Sequence, residues 1–307
     1  MTTERDTLKE FYQSSGAALT AAPDIDLVFN RALLDQIHRL SAEPKNVTYD
    51  EVDAGGRPGM WCIPAGADQG NVILYFHGGG FVVQSVNSHR KLAGHLAAAA
   101  GCRVLLLDYR QAPEHQYPSQ IEDVEDAYGW LRGQGINPDG IAFAGDSAGA
   151  CLAVSSVVRL RDKELPLPAA IIGFSPWFDL ECNGESLETN AAKDVLVRGP
   201  LVQQMVMAYL SADTSRTDPL VNPLHADLAG FPPVFLTASL DEALFDNAQR
   251  FADRAREAGV EVELHTVPGQ QHVFQFMAGH SSAADLSIAE AGSWVAERLG
   301  VVAAVGA

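Results

Sequence analysis

A serine between two glycines is the residue of this chain most clearly placed for nucleophilic chemistry. Ser147 is the centre of the G-D-S-A-G segment 145–149, which follows the short apolar run 141–144 and precedes the helical pattern 150–160. A strand, a sharp turn and a helix in that order are typical of a nucleophile elbow, in which the serine hydroxyl stands clear of the sheet. The two glycines leave room for the close backbone approach that such a turn requires. The pattern therefore predicts a serine nucleophile.

A second glycine-rich stretch could supply backbone N–H donors. The segment H-G-G-G at 77–80 directly follows the apolar run 72–76, which is predicted to be a strand. Three consecutive glycines let the backbone turn its N–H groups outward, where they can bind the negative charge that forms on a carbonyl oxygen under attack. One such donor stabilises the transition state by about 2.7–4 kcal/mol. We interpret this segment as an oxyanion-binding loop rather than a flexible turn.

A general base and an acid that orients it come after later strands. Asp241 closely follows the predicted strand 234–236, and His272 follows the last predicted strand. In this arrangement His272 would accept the proton of Ser147, and Asp241 would fix the tautomer of the imidazole. Asp246 is the rival acid, but it falls within the next helical pattern, and we interpret it as structural.

Composition and charge limit the classes of partner. The chain has 307 residues, of which 47% are hydrophobic and 20% are charged, and its net charge is −18. Nucleic acid and anionic membranes need a basic face, so neither is an expected partner. No signal peptide is apparent and no apolar stretch approaches the roughly 18 residues of a membrane span, so we expect a cytoplasmic protein. Four widely spaced cysteines indicate buried thiols, and no metal-binding spacing of histidines appears.

Apolar runs that predict strands alternate with helical patterns from residue 47 onward. The predicted strands are 47–49, 60–63, 72–76, 104–107, 141–144, 171–174, 234–236 and 260–267. Repeated β-α units with continuous apolar strands are typical of a parallel sheet that is covered by helices on both faces. The sequence therefore predicts an α/β protein with a mostly parallel, doubly wound sheet of eight strands.

Two segments interrupt this alternation. Residues 1–45 carry two amphipathic helical patterns that have no core of their own, and residues of about 182–215 include a predicted helix in a connection longer than a crossover needs. We interpret both as a helical cap over the strand ends where ligands bind, with 46–307 as the catalytic domain. We expect removal of residues 1–42 to leave the geometry of the catalytic residues intact.

Five short motifs follow one another between residues of about 45 and 299. They are H-G-G-G-F at 77–81, D-Y-R-Q-A-P-E at 108–114, G-D-S-A-G at 145–149, S-P-W at 175–177 and H-V-F at 272–274. In this order they resemble the motifs of bacterial esterases of the hormone-sensitive lipase family. The resemblance implies the α/β-hydrolase fold, and it assigns the oxyanion donors to the N–H groups of Gly79, Gly80 and Ala148. Gln111 departs from the usual leucine of its motif, which affects the expected packing there.

The same resemblance implies a carboxylic ester hydrolase, and we expect it to act on short- to medium-chain acyl esters. Ser147 would attack the ester carbonyl, and water would then hydrolyse the acyl-enzyme with His272 as base and without a cofactor. The candidate walls of an apolar acyl pocket, each of which could equally belong to the core, are Phe81, Trp177, Met205 and Tyr209.

Two alternative functions stay open at this point. A lactone hydrolase would use the same serine chemistry on a cyclic ester, so the expected partner is a small ester or lactone. A non-catalytic binding protein is the alternative from another class: the plant gibberellin receptor resembles this family but has lost the catalytic histidine. The presence of His272 favours an enzyme. Relatives in the family often pair through the last edge strand, so the resemblance also allows a homodimer.

Overall fold

The computed structural model describes residues 4–21 and 26–301, and in this part of the chain eight strands form one sheet. The strands are β1 Val47–Asp53, β2 Pro58–Pro64, β3 Asp68–Phe76, β4 Cys102–Leu107, β5 Ile141–Asp146, β6 Ala170–Phe174, β7 Val234–Ser239 and β8 Val262–Val267. Their spatial order is β1-β2-β4-β3-β5-β6-β7-β8. The two pairings of β2, with β1 and β4, are antiparallel and the other five are parallel, so the predicted mostly parallel sheet is confirmed.

Helices flank the sheet. The α-helices are α1 Glu4–Ala21, α2 Leu27–Asp35, α3 Val86–Ala100, α4 Ser119–Gly133, α5 Ala148–Asp162, α6 Ser186–Thr189, α7 Gly199–Tyr209, α8 Phe245–Glu257 and α9 Ser282–Leu299. Short 3-10 turns cover Gln36–Leu40, Pro138–Gly140, Pro223–His225 and Phe274–Met277. Across residues 4–21 and 26–301, no helix combines the length and the apolar character that crossing a membrane requires.

The sheet separates two hydrophobic cores. Successive side chains of a strand point to opposite faces, and β3 shows the consequence: Val72, Leu74 and Phe76 lie in one core, whereas Ile73 and Tyr75 lie in the other. Helices α4, α5 and α8 cover the first core, and α3 and α9 cover the second. Because both faces are buried, the strand has to be apolar at every position, which is why the run 72–76 predicts it so clearly.

The two segments predicted to form a cap are helical in the structure. In the N-terminal segment, α1 packs on the second core through the buried side chains of Leu8 and Tyr12. Helix α2 contributes Leu27 and Leu34 to the edge of the first core. The insertion near 182–215 contains α6 and α7. The division of the chain into a cap and a catalytic domain stays a prediction.

The parallel strands bring the sequence motifs to one edge of the sheet. The segment 77–80, which we call the glycine loop, follows the end of β3, Ser147 follows β5, and His272 lies in the connection after β8. The carboxyl ends of parallel strands share one edge, where α/β proteins bind their ligands. Residues that are widely separated in sequence therefore meet there.

Candidate active site

Ser147 lies on a strained turn between β5 and α5. Its backbone angles are φ 51° and ψ −120°, an unfavourable combination for a residue with a side chain. The backbone N–H donates to the carbonyl of Phe174 at 2.9 Å, and the carbonyl accepts from the N–H of Trp177 at 3.1 Å. A Cβ atom on Gly145 or Gly149 would overlap with neighbouring backbone. The two glycines and the two hydrogen bonds together hold the elbow that the sequence predicts.

The predicted oxyanion donors lie beside this turn. Gly149 packs against the carbonyl oxygens of Phe76 and His77, so the start of α5 lies next to the glycine loop. Ala148 is the first residue of α5, and the first N–H groups of a helix have no partner within it. Gly79 and Gly80 adopt φ values of 96° and 64°, and neither donates its N–H to another group in the described part of the chain. The arrangement leaves these N–H groups available to an external oxygen.

The buried carboxylate of Asp146 anchors the glycine loop. It accepts hydrogen bonds from the hydroxyl of Tyr75 at 2.8 Å and from the N–H of Gly78 at 3.2 Å, and His89 Nε2 lies 3.1 Å away. Burial alone would raise the pKa of Asp146, but the His89 imidazole and the Tyr75 hydroxyl outweigh it, and the pKa lies below its usual value. The residue that precedes the serine is therefore charged, and it fixes the loop opposite.

His77 supports the same loop as a neutral side chain. Burial, with a contribution from His89, lowers the pKa of His77 to about 3. Its Nδ1 lies 2.8 Å from the carbonyl of Gly78, so Nδ1 carries the proton and donates it. The ring stacks on Tyr109 at a centroid distance of 4.2 Å, and the Tyr109 hydroxyl donates to the His77 carbonyl. The side chain holds the loop and stays uncharged at neutral pH.

The carboxylate that contacts His272 is Glu242. Its Oε2 lies 3.1 Å from His272 Nδ1, and both side chains are almost fully buried. A carboxylate accepts, so Nδ1 donates its proton and Nε2 is left as the acceptor. Burial would lower the pKa of His272, but the hydrogen bond and the charge of Glu242, together with the charges of Asp194 and Asp146, outweigh burial and raise that pKa above the usual value. For Glu242, burial prevails over the stabilising His272 contact and raises the pKa.

The prediction that Asp241 orients His272 is therefore wrong. The two oxygens of Asp241 are engaged elsewhere, one with Lys193 Nζ at 2.8 Å and the other with the N–H of Gly269 at 2.7 Å. The hydrogen bond from Lys193 lowers the pKa of Asp241. The chain turns outward after β7, which places Asp241 at the partly exposed surface, and turns inward again at the next residue. The longer side chain of Glu242 then reaches the buried imidazole.

Asp246, the rival acid, has the structural role that we expected. It lies in the first turn of α8, its N–H donates to the hydroxyl oxygen of Ser186, and its carboxylate lies 3.4 Å from Arg250. No contact joins it to His272 among the described residues. The sequence does offer Glu242 as a candidate, because the acid of such a triad can be either Asp or Glu.

The end of β6 links the serine to the histidine. Phe174, its last residue, accepts the N–H of Ser147, and the next residue, Ser175, accepts the N–H of Val273 at its hydroxyl oxygen. Ser147 and His272 are 9% and 4% exposed, so both lie in a largely enclosed region. The structure thus brings Ser147, His272 and the glycine loop together around adjacent strand ends.

Four side chains predicted as acyl-pocket walls form one cluster beside the glycine loop. The ring of Phe81 stacks on Tyr209 at 3.9 Å, and the ring of Trp177 lies 6.3 Å from Phe81. The side chain of Met205 packs directly against Gly80. Met205 and Tyr209 belong to α7, so a helix of the insertion lies beside this loop. The role of the cluster as a pocket wall stays a prediction.

The N-terminal segment contacts both functional loops. Arg31 donates to the carbonyl of Val82 at 2.8 Å, just beyond the glycine loop. The hydroxyl of Tyr12 donates to the carbonyl of His272 at 2.9 Å, and that of Ser41 donates to the carbonyl of Phe276. The last two bonds hold the segment 268–277 around His272, which we call the histidine loop. Removal of residues 1–42 would take both bonds away, and the expectation that the catalytic geometry survives such a removal stays a prediction.

Comparison with known proteins agrees with this geometry. Residues 73–276 match the model of a protein family whose description is alpha/beta hydrolase fold. An acetyl-hydrolase from Streptomyces hygroscopicus is 37% identical, over 83% of this chain and 90% of its own. An ethyl acetate hydrolase from Pseudomonas putida is 33% identical, over 70% of each chain. The crystal structure of an esterase from the bacterial hormone-sensitive lipase family superposes with a TM-score of 0.92 at 36% identity, covering 98% of this chain and all of the other.

The chain belongs to the bacterial hormone-sensitive lipase family. Membership confirms the predicted α/β-hydrolase fold, and the esterase relatives confirm that the protein is a carboxylic ester hydrolase. Because one fold hosts many chemistries, family membership alone does not assign the residues that carry out hydrolysis.

The assignment of Glu242, rather than Asp241, as the acid that orients His272 can be tested directly. Glu242→Gln removes the charge that fixes the imidazole tautomer, and by analogy with other triads kcat should fall by about 10⁴. Asp241→Asn should leave kcat close to that of the parent, because Asp241 contacts Lys193 and Gly269 rather than His272. Steady-state hydrolysis of p-nitrophenyl acetate measures both variants. A large loss of kcat in Asp241→Asn and a small one in Glu242→Gln would show instead that Asp241 is the acid.

Proposed function

We propose that the protein is a serine carboxylesterase that hydrolyses short- to medium-chain acyl esters through an acyl-enzyme intermediate. The observation that carries the proposal is the buried 3.1 Å contact between His272 and Glu242 beside the strained turn at Ser147. This contact uses the Nδ1 proton of His272, so Nε2 is left as the proton acceptor for the serine hydroxyl. The partner that this chemistry needs is a small molecule with an ester bond.

In the first half of the reaction, the hydroxyl oxygen of Ser147 attacks the carbonyl carbon of the ester. His272 accepts the serine proton, and Glu242 stabilises the imidazolium that forms. The carbonyl oxygen becomes an oxyanion and accepts hydrogen bonds from the N–H groups of Gly79, Gly80 and Ala148. These donors are fixed before the reaction starts, so their orientation costs no further reorganisation.

Collapse of the tetrahedral intermediate breaks the bond to the alcohol oxygen. His272 returns its proton to that oxygen, the alcohol leaves, and the acyl group stays on Ser147. Water then attacks the acyl-enzyme and gives its proton to His272. The second collapse breaks the serine ester bond, releases the carboxylic acid and restores the Ser147 hydroxyl. Each step uses groups that the chain itself supplies.

The proposed size of the acyl group rests on the cluster around the glycine loop. Phe81 and Tyr209 are stacked and buried, and Met205 lies against Gly80, so bulky side chains occupy the space next to the proposed oxyanion donors. Relatives named as an acetyl-hydrolase and an ethyl acetate hydrolase act on small acyl groups by their names. Both points support short acyl chains as the better substrates.

The assignment of Ser147 has a simple test. Ser147→Ala removes the nucleophile and leaves only the oxyanion donors and substrate binding, so kcat should fall on the order of 10⁵–10⁶-fold. A fluorophosphonate probe should label the parent and not the variant, as seen by intact-protein mass spectrometry. Turnover by the variant within tenfold of the parent would rule out Ser147 as the nucleophile.

The pKa of His272 predicts the acid side of the pH profile. Only the neutral imidazole accepts a proton, so kcat/KM should fall as the pH decreases through the pKa of His272 in the free enzyme. The hydrogen bond to Glu242 raises this pKa, which places the acid limb above the usual histidine value of about 6.5. Measurement from pH 5 to 9 with p-nitrophenyl acetate tests the expectation, and a profile that is flat between pH 5 and 8 would contradict a histidine base.

Two methionines of α7 offer a matched test of acyl size. Met205 packs on Gly80, whereas Met207 is 62% exposed on the same helix. Met205→Ala should open space beside the glycine loop and raise the ratio of kcat/KM for hexanoate over acetate by roughly tenfold, since a pocket discriminates methylene groups by about 1–3 kcal/mol. Met207→Ala should leave the ratio unchanged. Equal ratios for the two variants would show that Met205 does not border the acyl group.

A further inference from the structure

The backbone of the histidine loop is strained directly after His272. Val273 adopts φ 48° and ψ 52°, which is left-handed backbone. A β-branched side chain at such angles is a genuine outlier and persists only where surrounding contacts hold it. Because Val273 follows the proposed base, whatever fixes these angles also fixes the direction in which the His272 imidazole points.

Two buried side chains bind the peptide group that joins His272 to Val273, one on each side. The hydroxyl of Tyr12 donates to the His272 carbonyl oxygen at 2.9 Å. The hydroxyl oxygen of Ser175 accepts the N–H of Val273 at 3.0 Å. The carbonyl and the N–H of a trans peptide point in opposite directions, so these contacts come from opposite sides of one rigid plane. We call this pair of hydrogen bonds the peptide clamp.

The side of the clamp formed by Ser175 is rigid and also faces the proposed acid. Ser175 is fully buried, and its own N–H donates to the carbonyl of Thr237 at 2.7 Å, which holds its positive φ of 47°. Since its oxygen accepts from Val273, its hydroxyl proton is free to point elsewhere. The Ser175 hydroxyl favours the charged form of Glu242 and so acts against the rise in that pKa caused by burial.

The side formed by Tyr12 comes from α1, a helix that is far from the histidine loop in sequence and packs with it in the second core. Among the described side chains of α1, Leu8, Tyr12 and Ser15 are buried, and the Tyr12 hydroxyl reaches the histidine loop. Burial raises the pKa of Tyr12 well above its usual value, so the phenol keeps its proton and stays a donor. A tyrosine is needed here because phenylalanine would fill the same space without the hydrogen bond.

We propose that Tyr12 and Ser175 are positioning residues that hold the His272–Val273 peptide, and with it the His272 imidazole, in contact with Glu242. Helix α1 is then part of the catalytic machinery and not only a cover over the substrate. The inference rests on the proposed function, in which His272 is the base. Neither residue touches the substrate in this scheme; each acts through the peptide clamp.

The test compares two tyrosines that make the same kind of bond. Tyr12→Phe removes one side of the clamp, and Tyr128→Phe removes a hydroxyl that donates to the carbonyl of Pro166 at 3.0 Å, far from the site in the fold. Tyr12→Phe should lower kcat about tenfold or more while KM changes little, because a small misplacement of a catalytic group costs up to about a hundredfold. The acid limb of the kcat/KM profile of Tyr12→Phe should move to lower pH, because a weaker contact with Glu242 lets burial lower the pKa of His272. Tyr128→Phe should change none of these quantities.

A second readout does not depend on turnover. In the parent, proton NMR should show a low-field signal from the Nδ1 proton that His272 donates to Glu242, assigned by its loss in His272→Ala. Tyr12→Phe and Ser175→Ala should each shift or broaden this signal, and Tyr128→Phe should not. If Tyr12→Phe behaves like Tyr128→Phe in kcat, pH profile and NMR signal, the peptide clamp has no positioning role. Full activity in Ser147→Ala would instead overturn the proposed function, and the NMR comparison would still decide on the clamp.

Discussion

The buried negative charge of Asp146 constrains most of what surrounds it. A carboxylate without water must be hydrogen-bonded, and Asp146 draws its partners from β3, from the glycine loop and from α3. One of them is the backbone N–H of Gly78, where any larger residue would overlap with the carboxylate. The residue adjacent to the serine therefore sets the position of the loop that carries Gly79 and Gly80. Ser147 and the glycine loop are coupled through a single buried charge, and movement of the loop would cost that charge its hydrogen bond from Gly78.

Where local geometry dictates the residue type, the sequence predicts the site closely. The run 72–76 is apolar because β3 has a core on each side, and the glycines flanking Ser147 are required by backbone that leaves no room for a Cβ atom. Such constraints act over a few residues, so a single sequence reveals them. The positions of Ser147 and His272 after their strands follow from the same short-range rules, and the structure places both at one edge of the sheet.

The identity of the acid and the contact between Tyr12 and His272 depend instead on long-range packing. Asp241 and Glu242 are adjacent carboxylates, and the direction of the turn after β7 decides which of them is buried against His272. Nothing in their side-chain chemistry distinguishes them. Likewise, an amphipathic pattern shows that α1 must pack on something, but it cannot show that Tyr12 meets the carbonyl of a residue 260 positions further along the chain. Both features are properties of the assembled tertiary structure.

The contact between Tyr12 and His272 also bears on how the protein is made. Two residues with such a separation can meet only after the ribosome has synthesised residue 272, whereas most of the sheet has already emerged by then. Closing so long a segment of chain carries a large entropic cost, and contacts of this range form late in folding. Until they form, α1 leaves the apolar side chains of Leu8 and Tyr12 without their native cover. During biosynthesis the N-terminal helix therefore lacks part of its native cover until the chain has been made past residue 272.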